Sequence, residues 1–528
     1  EPFLVPHRFT SSPMNFALTR MTAALLLAGV CLQATAAQDV DIDQVRAATS
    51  KLIGLLAEQG VLAPDKAESL LKDVTRPASP AVAGSATSAA APASKPGTVR
   101  VPYIPEFVRK ELKDELRAEL AAQAQREGWA GPGSVPEWVR GLKWDGDLRV
   151  RYQYDNYAED NAPAISINET NRTRSLSLLN TSEDRQRLRV RARLGLTSTI
   201  DENWAAGVRL TTGSTTDPIS SNQTLGIYNN RYTVAIDRAY LRYRQAEQFN
   251  VVAGRFGNPW YGTDLLWAND LGFDGIAGQW TPKIGSAARG FVTLAVMPVQ
   301  EVELASADKW LFGAQAGIDT SNLFGVANGK LALGFYRYSN MIGKTSPAGS
   351  SLYEYTAPQF AQKGNTYYNI SSDPNRPLLA MASDYRLINV TGQTDFEAMA
   401  GKRVILTADY VRNLGFDRAA VSARLGVDVQ PMTNAFHLRA AFGDAELKAA
   451  RDWQVYIAYK RIERDALPDA FTDGDFRLGG TDAKGYILGA SYAVGKNTAA
   501  SFKYFSGDSV SGAPLSVDVI QFDLTSRF

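Results

Sequence analysis

The chain has 528 residues, a formal net charge of +1, one cysteine and two histidines. That balance provides no global basic field for nucleic acid, and so few cysteines and histidines argue against zinc sites and against most histidine-dependent catalysis. Beyond the N-terminus no run approaches the roughly 20 consecutive apolar residues of a membrane-spanning helix, so if this chain lives in a membrane it must be a barrel.

Residues 1–37 read as upstream residues followed by a cleavable signal peptide. The expected start is Met14 or Met21; Met14 to Arg20 forms the polar lead, Met21 to Leu32 the apolar core, and Ala34-Thr35-Ala36 the cleavage site. Val30 stands where acylation of Cys31 would need a small residue, so a lipoprotein is disfavoured. Residues 38–75 carry helical spacing at Ile42, Val45, Thr49, Leu52 and Leu56, a break at Gly60, and a second short helix opened by Pro64-Asp65. Residues 76–102 are rich in Ala, Pro and Ser, cannot bury a core, and read as a linker. Residues 103–130 form a helix with Val108, Leu112, Leu116 and Leu120 in one narrow stripe. Such a stripe packs in a coiled coil with copies of itself or lies on the underside of the next domain, and both readings stay open. Residues 131–141, with Gly131-Pro-Gly133 and Pro136, form a boundary.

From 142 to 528 helical spacing gives way to period 2. Arg185 to Ile200 is the clearest case: Arg185, Arg187, Arg189, Arg191 and Arg193 share one parity, and Leu188, Val190, Ala192, Leu194 and Leu196 share the other. As a strand this places guanidinium groups on one face and aliphatic groups on the opposite one. Leu142 to Asp155 repeats the pattern, with Asp147, Arg149, Arg151 and Gln153 opposing Leu148, Val150, Tyr152 and Tyr154. About sixteen such segments follow one another, ending at Ser516 to Phe528. Short links such as Asp201 to Asn203 and Met399 to Gly401 alternate with long ones such as Ser214 to Asn230 and Met341 to Tyr385. Short turns at one end and long loops at the other is how outer-membrane barrels are built, and a soluble sandwich has no reason to keep that alternation. The expected fold is an all-β transmembrane barrel of about 16 antiparallel strands, preceded by an N-terminal helical segment and linker.

Four features resemble bacterial outer-membrane porins that carry an N-terminal helical, coiled-coil-like prefix. They are the signal peptide, the prefix ending in Val135-Pro-Glu-Trp-Val-Arg140, the opening Trp144-Asp-Gly-Asp-Leu-Arg-Val-Arg-Tyr152, and the last strand with Ile520, Phe522, Leu524 and Phe528 on one face. The resemblance implies that Phe528 ends an assembly signal read by the barrel-assembly machinery, that three copies form a homotrimer, and that the loop after the fifth strand folds inward. That loop is Asn258 to Leu271, with Asp264 and Asp270. The resemblance further implies that these acids face a pore-lining basic wall of Arg149, Arg151, Arg187, Arg189, Arg191 and Arg193. Opposed rows of fixed charge across a narrow aqueous gap order water and dipolar solutes and disfavour apolar ones.

The expected function is passive diffusion of small hydrophilic solutes or ions, with anions preferred, across the outer membrane of a Gram-negative-type cell, the prefix lying in the periplasm. No catalytic residue, cofactor or metal is expected. A barrel phospholipase would need an aligned Ser and His, and His437, alone in the barrel region, reads as a lumen residue by its parity opposite Phe436 and Leu438. A plugged transporter would need about 22 strands. A structural or adhesive role is the other alternative, since Met341 to Tyr385 is long enough to display a surface. Asp469, Asp473 and Asp475 match no complete calcium loop and read as a solvated acidic turn.

Overall fold

The computed structural model describes residues 141–303, 305–323 and 327–528; the signal peptide, helical prefix, linker and residues 131–140 lie outside the described residues. Sixteen long strands follow in order: β1 (Leu142–Tyr157), β2 (Arg185–Thr199), β3 (Trp204–Thr212), β4 (Val234–Gln245), β5 (Phe249–Gly257), β6 (Gly272–Trp280), β7 (Ala288–Gln300) and β8 (Lys309–Leu323). The second half comprises β9 (Ala327–Ser339), β10 (Arg386–Met399), β11 (Lys402–Asn413), β12 (Asn434–Gly443), β13 (Trp453–Ile462), β14 (Ala483–Ala493), β15 (Thr498–Ser509) and β16 (Val517–Arg527). Each pairs antiparallel with the next, and β16 returns to β1 with Asp147 opposite Arg527 and Tyr157 opposite Val517. The sheet is a closed barrel, as the alternating links predict.

Closure follows from the solvent. Lipid offers no partner for a free N–H or C=O, so an open edge is not tolerated there. No helix among the described residues is long and apolar enough to cross a membrane; the crossing is made by strands. Their parity matches the sequence: Leu188 is 53% exposed on the outer face while Arg191, three residues on, is 8% exposed inside.

Aromatic rings collect on the outer face near the short turns. Trp204 packs on Tyr243 at 5.1 Å and Phe442 on Trp453 at 5.6 Å between ring centroids, while Phe249 stands opposite Trp280 in register. A second group, Phe436 with Tyr459 at 5.8 Å and Tyr459 with Tyr486 at 5.0 Å, lies farther along the same strands. Amphipathic rings at two levels mark the two interfaces of an apolar band.

The long loops do not all stand in solvent. Loop 158–184 carries α1 (Ile167–Thr173), N-capped by Ser166, whose Asn171 exchanges two hydrogen bonds with the backbone of Leu379. Leu379 belongs to a hairpin, Tyr367–Asn369 with Leu379–Met381, inside the loop 340–385. Loop 414–433 carries α2 (Arg418–Leu425), capped by Asp417. Loops 258–271, 340–385 and 463–482 enter the barrel, and their apolar residues build one core: Leu265, Trp267, Met381, Tyr385, Leu467 and the adjoining Phe471 pack with the inward-facing Tyr336 and Tyr338.

Leu488 at the middle of β14 faces outward and is 43% exposed. Leu488→Arg should destabilise the barrel by about 2–4 kcal/mol if it lies near the bilayer midplane, measured by urea titration of folding into lipid vesicles.

Candidate functional site

Strands β1 and β2 face each other with Arg149 opposite Arg191 and Arg151 opposite Arg189. A shared inward parity therefore gathers Arg149, Arg151, Arg187, Arg189, Arg191 and Arg193 on one patch of wall. Like charges directly across a ladder repel, so the column needs counter-charge. Arg151 receives it from Asp523 on the neighbouring β16 at 2.6 Å and from Asp475 of loop 463–482 at 2.8 Å. Arg187 pairs with Asp155. Arg191 and Arg193 share Asp147, at 2.8 and 2.5 Å, and both reach Asp270, at 3.2 and 3.3 Å. Among the described residues Arg149 and Arg189 make no ion pair; Arg149 donates to the Asn222 side-chain oxygen and Arg189 to that of Gln153 at 3.2 Å.

The loop 258–271 spans the interior from this wall to the opposite one. At its start the Asn258 side chain accepts the Trp260 N–H, and Trp260 lies edge-on to Tyr336 at 5.1 Å. The wall beneath is Gly313; a Cβ there would come within 2.5 Å of the Trp260 ring, so only glycine lets the loop lie this close. The Tyr261 backbone exchanges two hydrogen bonds with the Gln315 carboxamide, at 2.8 and 2.7 Å. Thr263 donates twice to Asp409 on β11, and Asp264 takes the Lys460 ammonium of β13 at 2.9 Å, with His437 3.4 Å away. The loop then returns through Leu265, Leu266 and Trp267 to Asp270, which accepts from Ser221 at 2.6 Å as well as from the arginines.

The two acids of this loop thus part company. Asp270 meets the arginine column, whereas Asp264 turns away from it to Lys460 and His437 on the far side. Burial pushes both carboxyls up, and the neighbouring cations, Lys460 for Asp264 and Arg191 for Asp270, more than offset it and hold them below the usual range. His437 is inward and buried. Phe528 is exposed at the end of β16, its backbone exchanging two hydrogen bonds with Gly146.

The expectation of a solvated turn at Asp469 to Asp475 is corrected: the segment is tucked inside the barrel. Asp469 is fully buried and accepts the Tyr367 hydroxyl at 2.9 Å, while Asp475 pairs with Arg151. Loop 340–385 holds it from above, with Gln362 donating to the Asp469 and Thr472 carbonyls and Lys363 to those of Leu478 and Gly479. The physical reason is composition around the acids: Ala466, Leu467 and Phe471 join the apolar core and carry the carboxylates in with them. No cluster among the described residues could hold a metal ion.

Between the arginine column and loop 463–482 lies a cavity of about 380 Å³, lined by Arg149, Arg189, Asp217, Asp270, Asp473 and Lys503 among others. A second, of about 520 Å³, adjoins it across Asp217, Ser220 and Asp270 and is lined by Asp237, Arg255 and Lys309. Sequence reasoning missed Lys460, Asp409 and Lys503. Parity could have found Lys460, which stands in step with Tyr456 and Ala458, but nothing in the sequence tells which loop reaches it.

Two outcomes follow from this geometry. Arg191→Ala leaves Asp147 and Asp270 with one guanidinium between them, so the return limb of loop 258–271 should loosen; open-channel noise and proteolytic nicking at that loop should both rise several-fold over Arg242→Ala. For Asp473, burial and the nearby Asp475 and Asp264 carboxylates raise the carboxyl to about 7 against the opposing pull of Lys460 and Lys503. A raised acid takes up its proton as pH falls through that value, which removes a negative charge from the cavity. Reversal potentials in a salt gradient should therefore shift toward anions between pH 8 and pH 6, and Asp473→Asn should hold the pH 6 value throughout.

A search of curated proteins finds no match. Among solved structures, Pseudomonas putida OprB in its high-pH structure is similar at a TM-score of 0.45 and 12% identity, over 75% of this chain and 96% of that one. The Acinetobacter baumannii outer membrane channel DcaP is similar at 0.39 and 13%, over 73% and 97%. Salmonella typhi OmpF, solved in complex with daunomycin, is similar at 0.39 and 10%, over 73% and 97%. At these identities none of them says which solute this chain passes. A family model described as "Putative porin" matches residues 46–528. The match takes in the whole closed barrel, and the chain belongs to that porin family, as an outer-membrane channel.

Proposed function

We propose that this channel passes small hydrophilic solutes by diffusion down their gradients and prefers anions. The observation that carries the reading is the charge on the cavity wall. Among the described residues Arg149 and Arg189 touch no carboxylate, while Asp147, Asp155, Asp270, Asp475 and Asp523 are each engaged with a cation of the column. Fixed positive charge at a narrow aqueous passage raises the local concentration of anions and repels cations. The six arginines act as one wall, four of them neutralised by and fastened to acids and two left to the solute. Asp270 lies against the column itself, holding Arg191 and Arg193.

Three copies in the outer membrane, with barrel-assembly machinery acting on the Phe528 end during biogenesis, complete the proposal; it is supported by the sequence resemblance and by the leucine stripe Leu112 to Leu120. A mass of one copy in mild detergent would remove the trimer.

The second reading, a structural or adhesive barrel, draws on how far loops 340–385 and 463–482 fill the interior. Planar-bilayer recording separates the two. A channel gives discrete chloride conductance with an anion-directed reversal potential, and Arg149→Ala with Arg189→Ala should reduce that preference markedly. Cation preference unaffected by the double replacement, or a membrane as resistive as bare lipid, would sink the proposal.

A further inference from the structure

The solute itself can be narrowed. We infer that the cavity beside Arg149 and Arg189 binds an organic carboxylate, its charged end held by the two guanidinium groups and its apolar body by the few apolar side chains of an otherwise polar wall. This rests on the channel reading above and names the solute class for the same passage.

Three observations converge. The first is the unpaired charge. Among the described residues, four of the six arginines reach a carboxylate, while Arg149 and Arg189 are partnered by the neutral carboxamides of Asn222 and Gln153. The Nε of each is buried with no hydrogen-bond partner. Asp217, on the same cavity, has its carboxylate turned to the N–H of Ile219 at 3.1 Å and makes no ion pair with Arg189. A half-buried cation whose nearest carboxylates act on it only through space, without contact, is incompletely compensated, and an incoming anion in contact with it relieves that cost.

The second is geometry. Arg149 stands opposite Arg191 and Arg189 opposite Arg151, so Arg149 and Arg189 are diagonal neighbours on one face, roughly 7–8 Å apart at the backbone. Two planar forks at that spacing suit a carboxylate, which can accept from both.

The third is the remaining surface. Leu179, Ile219, Phe360, Leu515 and Val517 line the same cavity. Its volume of about 380 Å³ lies in the lower part of the roughly 300–1,000 Å³ of small-molecule sites. A bare inorganic oxyanion would engage the forks and leave the apolar wall wet; a neutral alcohol would cover the wall and leave the forks unpaired. A carboxylate on a short hydrocarbon satisfies both.

The test uses the full chain in planar bilayers carrying chloride current, with hexanoate, hexanol and inorganic phosphate as probes. Hexanoate should interrupt the current in a concentration-dependent way, hexanol should not, and phosphate should need a higher concentration for the same block. Arg149→Gln with Arg189→Gln should raise the half-blocking concentration of hexanoate by about tenfold or more, with the barrel still resisting unfolding in cold SDS. Calorimetric titration of hexanoate into the wild-type protein in detergent supplies a binding measurement that does not depend on the variant folding; no heat of binding at millimolar hexanoate would overturn the inference. So would equal block by hexanoate and hexanol, or an unchanged block in the folded double variant. Phosphate blocking as well as hexanoate would overturn the organic class. Absence of chloride current in the wild type counts against the channel reading instead, and the calorimetry then decides the site alone.

Discussion

Everything in this molecule depends on the joining of β16 to β1. A sheet surrounded by acyl chains cannot leave backbone donors and acceptors open, and a strand edge in lipid leaves many. Pairing Asp147 through Tyr157 with Val517 through Arg527 removes the last edge. Once the sheet is a cylinder, period 2 sorts every strand residue to acyl chains or to interior, and the arginines of β1 and β2 have nowhere to go but inward.

An interior sixteen strands around is too wide for wall side chains alone to fill. The loops fill it, and a loop brought into a low-dielectric interior carries polar backbone that must find partners. The chain meets this with ion pairs and side-chain amides placed where each loop touches the wall: Asp264 to Lys460, Asp270 to Arg191 and Arg193, Asp475 to Arg151, and Gln315 to Tyr261. Half of the arginine column, Arg151, Arg191 and Arg193, therefore works as anchorage for loops. Charge that fastens a loop is charge withdrawn from open space, and among the described residues Arg149 and Arg189 are the members of the row that touch no carboxylate.

The barrel was legible in the sequence because strand periodicity and link length are local properties. Arg185 to Arg193 announces its two faces within nine residues, and Asp201 to Asn203 announces a tight turn within three. The placement of Asn258 to Leu271 inside the barrel came from family resemblance, and the structure adds what it touches. The partners of Asp264 could not be read, since Lys460 is 196 residues away and only closure brings it across. Asp469 to Asp475 misled for a related reason: three acids beside glycine look like a surface turn, and the neighbouring Leu467 and Phe471 decide the matter only when there is a core for them to enter.

Loop 258–271 is fastened at both walls, to Asp409 and Lys460 on one and to Arg191 and Arg193 on the other. Such a member is a strut. Any displacement of one wall relative to the other must slacken or strain these attachments, so the loop ties the cross-section of the cylinder to its own length.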